Sequence, residues 1–168
     1  MPKIIENLKE RLLEETKRQI WERGYQEVTI RSIAKGCDVG IGTVYNYFTS
    51  KEALIAAYLL EDWNVCLQAI WESAELAQEP QPVLLCIHRQ LLGFAQRHES
   101  IFKTEAAAVG FARSHSRYHG MLRTQLAEPL RQFCDSDFQA RFAAESLLTW
   151  TVDGESFDRI YDVLKKLF

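Results

Sequence analysis

With 168 residues, 47% of them apolar and 26% charged, the chain can bury one or two cores and is excluded from the disordered class. Its net charge of −3 argues on its own against a nucleic-acid binder, but residues 1–51 carry nine Lys or Arg against seven Asp or Glu and residues 52–168 carry eleven against sixteen, so a head of +2 precedes an acidic body of −5. No run of about 18 apolar residues suggests a membrane span, and charges throughout residues 1–15 leave no apolar signal-peptide segment, so a cytoplasmic protein is expected.

In chain order, Leu8, Leu12, Leu13, Thr16 and Ile20 recur at helical spacing and predict a first helix over about Pro2 to Arg23, ended by Gly24. Two short helices joined by a tight turn follow between Thr29 and Lys51. Thr29 is the expected N-cap of the first, with Ile30, Ile33 and Ala34 on its inner face. Gly36, Cys37 and Asp38 break the run. Val44 and Phe48 mark the inner face of the second, with Val39 packed between the two. This is the pattern of a helix-turn-helix over about residues 29–48.

On a wheel of about 100° per residue, Gly42, Thr43, Asn46 and Tyr47 face outward on the second helix and Tyr45 lies on its flank. A face of hydroxyls and an amide, without Glu or Lys, suits hydrogen bonds to phosphates and base edges. Gly42 would let a backbone come close. The competing reading is an ordinary surface helix whose tyrosines pack on a neighbour.

Ser50 is the expected N-cap of a long fourth helix reaching about Gln78, with Leu54, Tyr58, Leu59, Trp63, Cys66, Leu67, Ile70 and Trp71 on a broad apolar face. Pro80 and Pro82 stop it and start a fifth helix over about 83–97. One or two helices follow through Ile101 to Gly110, and another spans about Ser114 to Phe133, kinked or reset at Pro129. The last two are expected at about 137–151, capped by Asp135-Ser136, and at about 154–167, capped by Asp153. With no strand alternation, the fold class is all-α. A three-helix head over 1–50 leads into a helical bundle over 51–168.

The stretch Thr-Ile-Arg-x-Ile-Ala from Thr29, a turn ending in Val39, Gly42-Thr43-Val44-Tyr45-x-Tyr47-Phe48 and Ser50-Lys51-Glu52-x-Leu54 closely resembles the DNA-binding domain of the TetR family of transcriptional repressors (TetR/AcrR type), as does Gly24-Tyr25 before it. The resemblance is strong from about Leu12 to Leu60 and architectural beyond. Three positions depart from the family pattern. Asp38 stands where Gly usually makes a left-handed turn, a conformation Asp tolerates. Gly40 stands where a Ser cap is common. Ile41 replaces a residue that is often polar, and suits a thymine methyl better than a hydrogen bond. The resemblance implies a homodimeric, ligand-responsive regulator, a repressor, with two heads in successive major grooves of a pseudo-palindromic operator on double-stranded DNA. The DNA contacts it implies, together with the outward face, are Arg31, Gly40, Ile41, Gly42, Thr43, Tyr45, Asn46, Tyr47 and Lys51, with Arg31 on a base or phosphate and Lys51 on phosphate. An all-α enzyme or small-molecule carrier whose head only resembles a DNA reader is the alternative class.

The resemblance also implies an effector cavity among the later helices. Trp63, Trp71, Phe94, Phe102, Phe111 and Tyr118 are its candidate lining, although aromatics at helical spacing equally fill a core. His88 is either a ligand-orienting group or a satisfied core histidine, the latter being favoured. The end of the chain offers a candidate partner surface, on Phe138, Phe142, Leu147 and Trp150 in one helix, Phe157, Ile160, Tyr161 and Leu164 in the next, then Leu167 and Phe168; one stripe per helix is expected to face the body, and the competing reading is that both helices are ordinary core. His115 and His119 at i, i+4 lack a third ligand, so no metal is expected, nor any cofactor. The sequence carries no GxSxG, glycine-rich phosphate loop or HExxH, and no enzyme is expected. Cys37, Cys66, Cys86 and Cys134, without zinc spacing, read as buried thiols.

Overall fold

A computed structural model of the chain describes residues 7–104 and 119–168. Every regular element among the described residues is helical. The chain divides into two compact units, Met1–Asp62 and Trp63–Phe168. The boundary falls about a dozen residues beyond the expected 50/51, because the first turns of the fourth helix carry Leu54, Ile55 and Tyr58 as buried residues of the first unit.

In the first unit, helix α1 (Leu8–Arg23) buries Leu8, Leu12, Leu13, Thr16, Gln19 and Ile20. Gly24, at φ 81, ends it in a conformation that only glycine adopts freely. A 3-10 turn, Tyr25–Glu27, leads through Val28 to α2 (Ile30–Gly36). Thr29 caps α2 as expected, and as a capping box. Its hydroxyl accepts from the Ser32 amide at 3.0 Å, and its own amide donates to the Ser32 hydroxyl at 3.0 Å. At the other end, the Asp38 amide donates to the Lys35 carbonyl at 3.2 Å and the Val39 amide to the Ala34 carbonyl at 3.0 Å. These two bonds form a Schellman motif, with Asp38 in the left-handed region at φ 55. Helix α3 (Ile41–Tyr45) is one turn and a half, shorter than expected, and Val44 and Phe48 are its buried anchors. Helix α4 (Lys51–Leu76) starts at Ser50, whose hydroxyl accepts from the Ala53 amide at 3.1 Å.

Although no run of 18 purely apolar residues exists, α4 is long and apolar enough by length and composition alone to cross a membrane. Its Trp63, Cys66, Ile70 and Ala74 lie in the core of the second unit, so we read it as a core helix.

In that unit, α5 (Pro80–Arg97) begins three residues earlier than expected. The first turn of a helix has no use for the amide hydrogens that Pro80 and Pro82 lack, so these residues lie inside the helix. A short α6 (Glu99–Phe102) follows. The described part of the next helix, α7, covers 119–127, and at Pro129 the chain tightens into a 3-10 segment, Glu128–Phe133. Ser136 caps α8 (Asp137–Val152). Asp153 closes α8 instead of opening the last helix; Ser156 caps α9 (Phe157–Leu164). The core joins Trp63, Cys66 and Ile70 of α4, Val83, Leu84, Ile87 and Leu91 of α5, Leu126 and Leu130, and Ala140, Ala143, Ala144, Leu147 and Leu148 of α8, closed by Ile160 and Leu164.

Candidate nucleic-acid interface

Helix α1 grips α2 at both ends. Gln19, only 2% exposed, projects from the apolar face of α1 toward the start of α2. Its amide nitrogen donates to the Ser32 carbonyl at 3.0 Å and to Glu15 at 2.6 Å, and its oxygen accepts from the Ser32 hydroxyl at 2.6 Å. Toward the other end, the Arg11 guanidinium donates to the Cys37 carbonyl at 2.9 Å and the Cys37 thiol returns a contact to the Arg11 carbonyl at 3.5 Å. Glu15 is itself held by Arg18 at 2.6 Å, and hydrogen bonds from Arg18 hold its carboxyl below the ordinary carboxylate range. None of these ties is predicted by the sequence pattern; the available signal was a polar Gln19 at helical spacing among Leu12, Thr16 and Ile20.

The clamp and the turn leave one face of α3 and its following turn outside. Ile41 is 38% exposed, Tyr45 49% and Tyr47 46%, so the tyrosines do not bury themselves on a neighbour within the chain. Gly42 and Asn46 are exposed and Thr43 half-buried. A Cβ at Gly42 would meet nothing within 4 Å, so nothing within the protein itself demands a glycine there. Gly40 caps α3 through its backbone, its carbonyl accepting from the Thr43 amide at 2.9 Å. Arg31, on the first turn of α2, is exposed.

Lys51 is placed differently from the other candidates. Its ammonium donates to the Tyr25 carbonyl at 2.8 Å and lies 4.1 Å from the centre of the Tyr25 ring. Desolvation lowers its pKa, against the pull of Glu52 and Glu27.

In the second unit the aromatic candidates separate. The Phe94 ring stands edge-on to Trp63 at 5.4 Å and to His98 at 4.5 Å, and is 6.2 Å from Phe102. His98, fully buried and not anticipated, thus joins three candidates in one cluster. The Trp63 indole N–H donates to Gln125 at 2.9 Å. Trp71 is 44% exposed and stands apart from these ring contacts. His88 pairs with the Glu155 carbonyl at 3.2 Å and the Phe157 ring at 5.7 Å, as a satisfied core histidine. Phe111, Tyr118 and His115 lie outside the described residues. His119 faces Glu145 at 3.3 Å, and no group of potential metal ligands occurs among the described residues. Cys37 and Cys66 are buried and Cys86 and Cys134 half-buried; burial raises the thiol pKa of Cys37, Cys86 and Cys134.

The stripe expected to face a partner is split in two. Ile160 and Leu164 are buried in their own unit, as is Leu147, while Phe157 and Tyr161 pack partly against the same core. The reason is geometric: α9 has one apolar stripe, and the core takes it. Its remaining face carries Asp158, Arg159 and Asp162 around Val163, and Lys165 and Lys166 follow it. Apolar surface is left on α8, where Phe138, Phe142 and Trp150 are 69%, 46% and 51% exposed, and at Leu167 and Phe168.

A helix-turn-helix head followed by a separate helical unit defines the class. Residues 12–58 match the family described as bacterial regulatory proteins, tetR family. That match covers the helix-turn-helix head, less than half of the chain. It is 35% identical over 65 residues to the HTH-type transcriptional regulator UidR of Escherichia coli, a match spanning 39% of this chain and 33% of the relative. It is 32% identical over 108 residues to the uncharacterized HTH-type transcriptional regulator YhgD of Bacillus subtilis, spanning 61% and 54%. The matched stretches thus span between a third and about half of these curated relatives. The solved structure of SCO7518 from Streptomyces coelicolor shares the fold with a TM-score of 0.72 over 96% of this chain and 98% of that one, at 16% identity.

Proposed function

We propose that this chain is a DNA-binding transcriptional regulator that acts in the cytoplasm as a homodimer on a pseudo-palindromic operator, as a repressor released by a small apolar effector. The observation that carries the reading is the outward set Ile41, Tyr45, Asn46 and Tyr47, which takes no part in the core of its own unit yet follows a helix, α2, that Gln19 and Arg11 of α1 hold at both ends. A costly polar clamp behind an exposed face suits a surface that must meet a partner in one orientation. Hydroxyl and amide groups there match phosphate oxygens and base edges, Ile41 matches a thymine methyl, and the open space at Gly42 leaves room for a backbone to approach. One such head makes few contacts, and two related by symmetry double them. The exposed aromatics of α8 are the partner surface this requires, and the Trp63, Phe94, His98 and Phe102 cluster is the place for an effector.

The test is selection of bound duplexes from a random library, followed by binding titrations over a salt series. A two-fold symmetric consensus is expected, with affinity falling steeply as salt rises. Tyr47→Ala should weaken binding to the consensus at least tenfold more than to random DNA. No enrichment after repeated rounds would end the reading. Effectors are sought by thermal shift with apolar ligands, and hits that leave consensus affinity unchanged would separate ligand binding from regulation.

A further inference from the structure

The family resemblance assigns Lys51 to a DNA phosphate, but the geometry points elsewhere. We propose that Lys51 is a positioning residue that ties the first turn of α4 to the connection between α1 and α2, and so fixes where the reading pair begins. The inference rests on the DNA-reading function proposed above for its consequences, though not for the tie itself.

The tie is built on one acceptor. The Tyr25 carbonyl already receives the Val28 amide at 3.3 Å, the bond that closes the 3-10 turn. Lys51 Nζ, 26 residues further along, takes the remaining lone pair of that oxygen at 2.8 Å. The same ammonium lies 4.1 Å from the Tyr25 ring centre, within reach of its π face. One residue therefore holds the lysine by both backbone and side chain. Tyr25 is 9% exposed and Val28 fully buried, so neither end of the turn is free to follow a moving lysine. Immediately after Val28 comes Thr29, the cap of α2. A displacement at Tyr25 is thus passed over three residues to the start of the helix-turn-helix.

Charge chemistry favours lysine at this place. An ammonium is a compact charge whose donors meet a carbonyl and a ring face from one point, whereas a guanidinium spreads its donors in a plane. Burial lowers the Lys51 pKa, as desolvation of an ammonium turned toward the protein does. A group reaching into solvent for a phosphate would keep its hydration until DNA arrived. Here Tyr25 takes one of the three ammonium donors and covers another side with its ring.

The experiment compares Lys51→Met, Lys51→Gln, Tyr25→Leu and the Lys51→Met/Tyr25→Leu pair in the full chain. Hydrogen exchange without DNA reads the tie directly. Amides from Val28 to Ala34 should exchange at least tenfold faster in Lys51→Met, and by a smaller factor in Lys51→Gln, which keeps a donor for the carbonyl. The two single substitutions should not multiply in the pair. With DNA, Lys51→Met should weaken consensus binding about tenfold while the slope of log affinity on log salt stays as in wild type. Unchanged exchange in both Lys51 variants, or a slope reduced by about one unit as loss of a phosphate contact requires, would overturn the proposal. If wild type selects no DNA, the functional reading fails, and the exchange data still decide whether the tie exists.

Discussion

Replacing Gln19 by leucine tests whether the head is held by its polar clamp or by apolar packing alone. The side chain makes three hydrogen bonds, at 3.0 and 2.6 Å to the Ser32 carbonyl and hydroxyl and at 2.6 Å to the Glu15 carboxylate. Neutral bonds contribute about 0.5–1.5 kcal/mol net and one to an ionised acceptor about 1.5–3 kcal/mol. The partners are not stranded by the change: the Ser32 hydroxyl can turn its single proton to the Thr29 carbonyl, 2.9 Å away, and Glu15 keeps Arg18. A leucine of similar size, buried at the same place, returns about 1 kcal/mol of apolar burial. The expected loss is therefore about 2–3 kcal/mol in urea denaturation of the full chain. Gln19→Leu combined with Ser32→Ala should show a coupling of about 1 kcal/mol, since the two groups share bonds. A Gln19→Leu protein within about 0.5 kcal/mol of wild type, with no coupling, would refute the clamp.

Asp38→Gly should raise stability by about 0.5–1 kcal/mol, because φ 55 strains a residue with a Cβ and a carboxylate opposes the C-terminal end of the α2 dipole; thermal unfolding reads it, and a loss would show that the Asp38 side chain has a stabilising partner. Ile160→Glu should cost several kcal/mol by burying an unpaired charge, whereas Phe142→Glu, at a half-exposed site, should leave unfolding nearly unchanged and weaken self-association in sedimentation; unaltered association would move the partner surface off α8. Acidification should loosen the head. The Glu15 carboxyl is depressed in the fold, chiefly by Arg18, so its contribution is full above the ordinary carboxylate range and is lost as pH falls through the folded value. Glu15→Gln should flatten that part of the stability–pH curve, and an unchanged curve would remove Glu15 from the account.

Local chemistry was legible wherever a few adjacent residues decide the outcome. Thr29 and Ser50 cap their helices because a hydroxyl meets amides three residues on, and Asp38 takes the left-handed turn because the chain must reverse there. Long-range choices were not. His88 finds its carbonyl at Glu155, 67 residues away, and Lys51 its own 26 residues back, and no periodicity encodes either partner. The same limit explains α9. A stripe at i, i+3, i+4 and i+7 announces that one face is buried without saying whether by the chain's own core or by a second copy. Here the charged opposite face of α9, taken together with the stripe, carried the answer. Pro80 and Pro82 read as ending one helix and starting the next, and because a first turn needs no amide hydrogen both lie inside α5 instead of before it.

The open space at Gly42 bears on how variation at this surface would be screened. A methyl group there meets no atom of the protein, and alanine is the better helix former by about 1 kcal/mol. Selection for abundance or heat resistance would therefore pass Gly42→Ala, or even favour it. If position 42 meets DNA as proposed, only a screen that scores promoter output in living cells would register the substitution, because its penalty would then fall on that encounter. Position 42 is thus a place where folding and regulation can be inherited separately.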